Sequence, residues 1–136
     1  MKIEKISDIY EVLKGYTRKK RLVVAFANDS HSIEAVYMAV KAGLVEGILV
    51  GDTETIQGVC KENGYDESCF KIVHEPNDVR GAETAVEMIR NGEADVIMKG
   101  LVSTDKYMRA ILNKERGLVA PNAILSHVVV MECSSY

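Results

Sequence analysis

Along this chain the spacing of apolar residues switches period again and again. LVVAFA (residues 22–27) is a continuous apolar run rich in β-branched residues, which predicts a strand covered on both faces. SIEAVYMAVKAG (32–43) then places Ile33, Val36, Tyr37, Val40 and Leu44 at helical spacing. The alternation continues with GILVG (47–51) as a strand, TETIQGVCKENG (53–64) as a helix closed by Gly64, and FKIV (70–73) as a strand. DVRGAETAVEMIRNG (78–92) predicts a helix closed by Gly92, ADVIMK (94–99) a strand, STDKYMRAILNKE (103–115) a helix and AILSHVVVME (123–132) a last strand. A short helix over residues 7–15, with Ser7 as N-cap and Gly15 as stop, precedes them.

Strands and helices alternating over short connections predict an α/β fold: a three-layer αβα domain with a mostly parallel sheet and helices on both faces. Residues 1–136 read as a single domain, with no internal repeat, low-complexity tract or linker. In such sheets ligands gather at the carboxyl ends of the strands. That rule selects Asn28 to His31, Gly51 and Asp52, His74 and Glu75, and Lys99 to Asp105 as the places to look.

Composition narrows the partners. The 17 basic and 20 acidic residues give a net charge of −3, mixed along the chain, which argues against nucleic acid. The single basic run, Arg18 to Arg21, reads as a solvated entry turn. No apolar run is long enough for a membrane helix, and the N-terminus lacks the apolar core of a secretory signal. Three separated cysteines, Cys60, Cys69 and Cys133, fit a reduced, cytoplasmic chain. His31, His74 and His127 show no metal-ligand spacing, so no metal is expected and their roles stay unassigned.

Nucleotide-binding loops are missing: NDSHS stands where a GxGxxG would follow the first strand, and GLVSTDK lacks the ending of a P-loop. MKGLVSTDKYMRAIL (98–112) carries more chemistry. Ser103 or Thr104 can cap the helix, and Asp105 suits its positive end. Lys106 in the first turn opposes that dipole, and Arg109 lies on the same helix face. With Lys99 at the strand end and Gly100 permitting close backbone approach, the stretch could gather N–H groups, hydroxyls and cations around an anion. A capped helix with solvated Lys106 and Arg109 explains the same residues. Arg80, near the start of the preceding helix, is a second cation set against a dipole. Asp29 with His31 could form an acid/base pair or an ordinary capping turn.

VIMKGLVSTDKYMRAIL resembles the phosphate acetyl/butyryltransferase family, and its butyryltransferase branch most closely, where a similar MKG-x-V-S-T run leads to R-A-(I/V)-L. VVAFANDSHSIEAV, ILVGD, NDVRGAETAVEMIRNGEADVIMKG and ILSHVVVME are similar in the same order, so the resemblance spans essentially the whole chain. The acetyl branch has a histidine before its hydroxyl pair and a proline after its arginine. Val102 and Ala110 stand at those positions here.

The resemblance implies an isocitrate/isopropylmalate-dehydrogenase-like fold and the N-terminal domain of a two-domain enzyme. It implies transfer of a short acyl group, butyryl or acetyl, between coenzyme A and inorganic phosphate. Coenzyme A would be a substrate, with no tightly bound cofactor, and a homo-oligomer is expected. Arg109, Ser103, Thr104 and Arg80 would correspond to the family's phosphate-binding residues, with Lys99, Gly100 and Lys106 beside them. The family's aspartate base and its partnering serine lie in the C-terminal half and have no counterpart here, so no catalytic residue is assigned. A second reading is a non-catalytic module of the same fold that senses acyl-CoA or phosphate. A third is a relative acting on another phosphorylated substrate.

Overall fold

The computed structural model describes residues 20–113 and Leu118. The helix expected over 7–15 and the strand over 123–132 lie outside the described residues, as do His127 and Cys133. Four strands and four helices alternate: β1 (Lys20–Ala25), α1 (Ser30–Lys41), β2 (Val45–Gly51), α2 (Thr53–Asn63), β3 (Phe70–His74), α3 (Asp78–Arg90), β4 (Val96–Lys99) and α4 (Thr104–Leu112). A single 3-10 turn, Glu67–Cys69, leads into β3.

Among the described residues all the strand pairings are parallel, in the order β3-β2-β1-β4. The sheet explains why β1 and β2 read as unbroken apolar runs. Side chains alternate across a strand, and here each face has its own cover. Val23, Ala25, Ile48 and Val50 point into one buried cluster with Ala82, Ala85 and Val86 of α3 and Ala110 of α4. Val24 and Leu49 point the other way, among Ile33 and Val36 of α1 and Ile56 and Cys60 of α2. Burying a side chain the size of valine or leucine on either face contributes about 1.5–3 kcal/mol. The αβα layering inferred from the sequence is thus the observed one.

Small residues let the layers approach. A Cβ on Gly47 of β2 would come within 2.8 Å of Val36 Cγ1, so α1 lies directly over that strand. The helix ends follow their local chemistry. Gly64 takes the left-handed conformation (φ 71°) that closes α2, while Asp52 and Asn77 cap α2 and α3 by accepting the N–H groups of Thr55 and Arg80.

Two boundaries differ from the pattern. The helix expected from Ser32 starts at Ser30, because the extended conformation ends at Asp29. The strand expected over 22–27 ends at Ala25, because Phe26 turns into the left-handed region (φ 66°). The strand order puts the topological switch between β1 and β4. From β1 the chain leaves toward α1 on one face, and from β4 toward α4 on the other. Open parallel sheets hold their ligands at such a point.

Candidate functional site

The turn after β4 is tied to the end of β1 by backbone hydrogen bonds. Lys99 pairs in register with Ala25, the N–H of Gly100 donates to Ala25 O at 3.0 Å, and that of Leu101 to Phe26 O at 2.7 Å. A Cβ on Gly100 would collide with the Phe26 carbonyl oxygen, so only glycine fits this crossing. Those two N–H groups serve the fold and are not available to a ligand. Val102, 6% exposed, anchors the turn, while Leu101 beside it is 54% exposed.

Ser103 then caps α4. Its Oγ accepts the N–H of Lys106 at 3.3 Å, and its carbonyl accepts that of Tyr107 at 3.0 Å. Among the described residues the N–H groups of Thr104 and Asp105, the first two of the helix, donate to no such partner. Ser103, Thr104 and Asp105 are all exposed, so the hydroxyl pair and the open helix end face outward together. Lys99 is exposed at the end of β4.

The cations divide into two places. Arg80, Lys106 and Arg109 line a groove of about 980 Å³ between α3 and α4, shared with Glu75, Glu83, Glu87 and Arg90 and floored by Val86 and Ala110. Lys99, Gly100, Ser103 and Thr104 are not part of that lining; they sit at the sheet edge where α4 begins. Within the groove Lys106 has a carboxylate of its own: its Nζ lies 2.7 Å from Asp78 Oδ2 in the first turn of α3. This hydrogen bond, with some screening by partial exposure, holds the Asp78 carboxyl below its usual range. An acid on the facing helix thus answers the cation that opposed the α4 dipole. The Arg80 and Arg109 guanidinium groups have no hydrogen-bond or ion-pair partner among the described residues.

Phe26 joins the two arms of this region. Its side chain is buried against Gly81 of α3, where a Cβ would come within 3.0 Å of Phe26 Cδ1, and its carbonyl receives the turn after β4. A bulky residue at positive φ is uncommon. Nothing in the apolar run LVVAFA signals it, since the cause is the crossing Gly100 strand end. Asp78 also escaped sequence reasoning, although a carboxylate in a first turn facing another helix's misplaced lysine is a signal that could have found it.

The other strand-end residues form a separate polar cluster. Asn28 Oδ1 accepts the Asp52 N–H at 2.9 Å, and Asp52 Oδ2 accepts the Thr55 N–H and hydroxyl at 3.1 and 2.7 Å. Those bonds lower the Asp52 pKa. His74 Nδ1 accepts the Thr53 N–H at 3.2 Å, which leaves the ring proton on Nε2 when the imidazole is neutral. Asp29 precedes α1 without capping it, and its Oδ1 is buried with no partner, while His31 is exposed. Among the described residues no group of three or more His, Cys, Asp or Glu could hold a metal ion, and no helix is long and apolar enough to cross a membrane.

No protein-family model matches the chain. Individual relatives do. The chain is 40% identical over 134 residues to a phosphate butyryltransferase of Clostridium acetobutylicum, covering 98% of this chain and 44% of that protein. It is 33% identical over 131 residues to a phosphate acetyltransferase of Thermotoga maritima, covering 96% of this chain and 43% of the relative. Among solved structures, a phosphotransacetylase from Streptococcus pyogenes superposes with a TM-score of 0.62 over 80% of this chain and 42% of its own, at 20% identity. A branched-chain phosphotransacylase from Enterococcus faecalis V583 does so with a TM-score of 0.52 over 68% of this chain and 33% of its own, at 22% identity. The structures share the α/β fold, and the sequences carry the kinship. Over nearly its whole length the chain is related in sequence to phosphate butyryltransferases and phosphate acetyltransferases, and it spans less than half the length of the curated relatives it matches.

Proposed function

We propose that this domain is the phosphate-binding part of a phosphate acyltransferase, moving a short acyl group, butyryl or acetyl, between coenzyme A and inorganic phosphate. The observation that carries the reading is the placement of Arg80 and Arg109, without carboxylate partners, in one groove of a chain related throughout to such enzymes. In the acyl-phosphate-forming direction a phosphate oxygen attacks the thioester carbonyl. The C–S bond then breaks, and coenzyme A leaves as its thiolate, which takes up a proton. Arginine suits the phosphate because its planar fork matches two oxygens and stays charged throughout. Fixed donors at the oxygens where charge develops stabilise the transition state.

In this reading Arg109 and Arg80 grip the phosphoryl group from the groove, and the open N–H groups at the start of α4, with Ser103 and Thr104, orient it from the adjoining first turn, outside the groove's lining. Lys99 adds charge from the strand end. The base that handles the thiol would come from the part of the enzyme beyond this domain. Acyl-CoA and phosphate are then substrates, the protein works in the cytoplasm without a tightly bound cofactor, and it assembles as a homo-oligomer.

The test is a titration of the 136-residue chain with inorganic phosphate, followed by amide NMR. Saturable shifts at Ser103 to Lys106, weakened about tenfold or more by Arg109→Ala, are expected. Binding unchanged by that substitution would sink the reading. Phosphate-dependent thiol release from butyryl-CoA by an enzyme containing this domain separates catalysis from a sensing module, which would bind phosphate without turnover.

A further inference from the structure

We infer that Asp78 and Lys106 are a positioning pair, setting where Arg80 on α3 and Arg109 on α4 are held in the groove, and that Lys106 is not itself a phosphate ligand. The inference rests on the phosphate-binding reading above and changes the role of one residue within it.

Four observations carry it. The Lys106–Asp78 contact, 2.7 Å long, joins first turn to first turn across 28 residues of chain, from α4 to α3. Arg80 follows Asp78 by two residues and Arg109 follows Lys106 by three, so the contact ties together the two helices that carry the arginines. Helix electrostatics explain only half of it: Asp78 suits the positive end of α3, but Lys106 is repelled by that of α4. A lysine kept there needs a nearby anion, and Asp78 already is that anion. Finally, the groove carries Glu75, Glu83 and Glu87 beside its cations. With Lys106 neutralised by Asp78, phosphate selectivity must come from where the two arginines are held and not from a surplus of charge.

The pair is also a poor candidate for a purely structural device. The Lys106 and Asp78 side chains are 42% and 31% exposed, and ion pairs so exposed add little to stability. Variants at either position will therefore fold, which makes the roles separable.

The experiment titrates the 136-residue chain with inorganic phosphate for the unaltered protein, Asp78→Asn, Lys106→Met, the reversed pair Asp78→Lys with Lys106→Asp, and Arg109→Ala. Thermal melting is recorded for each. A positioning role predicts that Asp78→Asn and Lys106→Met each weaken binding about fivefold while the reversed pair recovers most of the loss, with melting temperatures close to the unaltered chain. Tighter binding by Asp78→Asn, weaker binding by Lys106→Met and no recovery in the reversed pair would instead make Lys106 a ligand masked by Asp78, and overturn the inference. So would unchanged affinity in both single variants. Either result leaves the functional reading standing if Arg109→Ala still weakens binding about tenfold or more. An unaltered chain that binds no phosphate, or an Arg109→Ala variant that binds as well as it, overturns that reading and this inference together.

Discussion

The carbonyl oxygen of Phe26 and the backbone of Gly100 are packed so closely that no side chain fits between them, and the same oxygen accepts the Leu101 N–H at 2.7 Å. One peptide of β1 thereby fixes where the Lys99–Ser103 turn leaves the sheet. A Cβ at position 100 would also lie 2.8 Å from the Ala25 carbonyl oxygen, so backbone and not a pliable side chain would have to yield. Gly100→Ala is expected to destabilise the domain by about 2 kcal/mol or more. It should shift the amide resonances of residues 100–106 along with those of Ala25 and Phe26. Urea denaturation and an amide spectrum check it; a normally stable Gly100→Ala protein would show the crossing to be looser than described.

Ser103 serves the helix and, in the proposed site, the ligand, and two substitutions separate these duties. Ser103→Ala removes the acceptor for the Lys106 N–H and should cost about 1 kcal/mol. Ser103→Asp keeps an equally good cap while setting a negative charge where phosphate would approach. It should leave stability within about 0.5 kcal/mol of the unaltered chain and weaken phosphate binding about tenfold. Denaturation curves and phosphate titrations of both variants decide the matter. Equal phosphate affinity in Ser103→Asp would remove Ser103 from the site.

At the opposite end of the sheet, acid stability depends on Arg21 and Asp95. The Arg21 side chain reaches Asp95 at 3.1 Å and the Gly92 carbonyl at 2.7 Å, and the Arg21 N–H donates to Asp95 at 2.9 Å. The side-chain bond from Arg21 leads the causes that hold the Asp95 carboxyl at about 2, below its ordinary 3.8. Because the folded value is the lower one, the unfolded chain binds more protons between these two values. The stabilisation is complete above pH 3.8 and is lost as the pH falls toward about 2. Asp95→Asn should therefore flatten the fall in stability through that window, although Asp52, Asp66 and Asp78, also lowered, keep part of it. Chemical denaturation at a series of acidic pH values measures the slope, and an unchanged slope would dismiss the pair as its source.

The layered α/β fold was legible because its causes are local and periodic. Unbroken apolar runs at β1 and β2 need cover on both faces, helical spacing marks the covering helices, and Gly64 carries its capping preference in its own chemistry. Lys106 and Arg80 stood out in the sequence as cations placed against a helix dipole, and Arg109 as a residue on the face of Lys106. Their grouping did not. Arg80 and Arg109 come together in one groove only because α3 and α4 pack side by side on the same sheet face, an arrangement between segments distant in the chain.

Among the described residues, sequence by itself determined which segments are strands and helices, that their sheet is mostly parallel, and that polar residues collect at its carboxyl edge. Tertiary structure alone decided the strand order that puts the switch between β1 and β4, the left-handed turn at Phe26, and the partner of Lys106. Each of these is a contact between residues far apart in the chain, and spacing along one segment holds no information about which surface another segment will bring against it. The dipole argument found Lys106 out of place, but only the fold could supply Asp78 as the carboxylate that holds it.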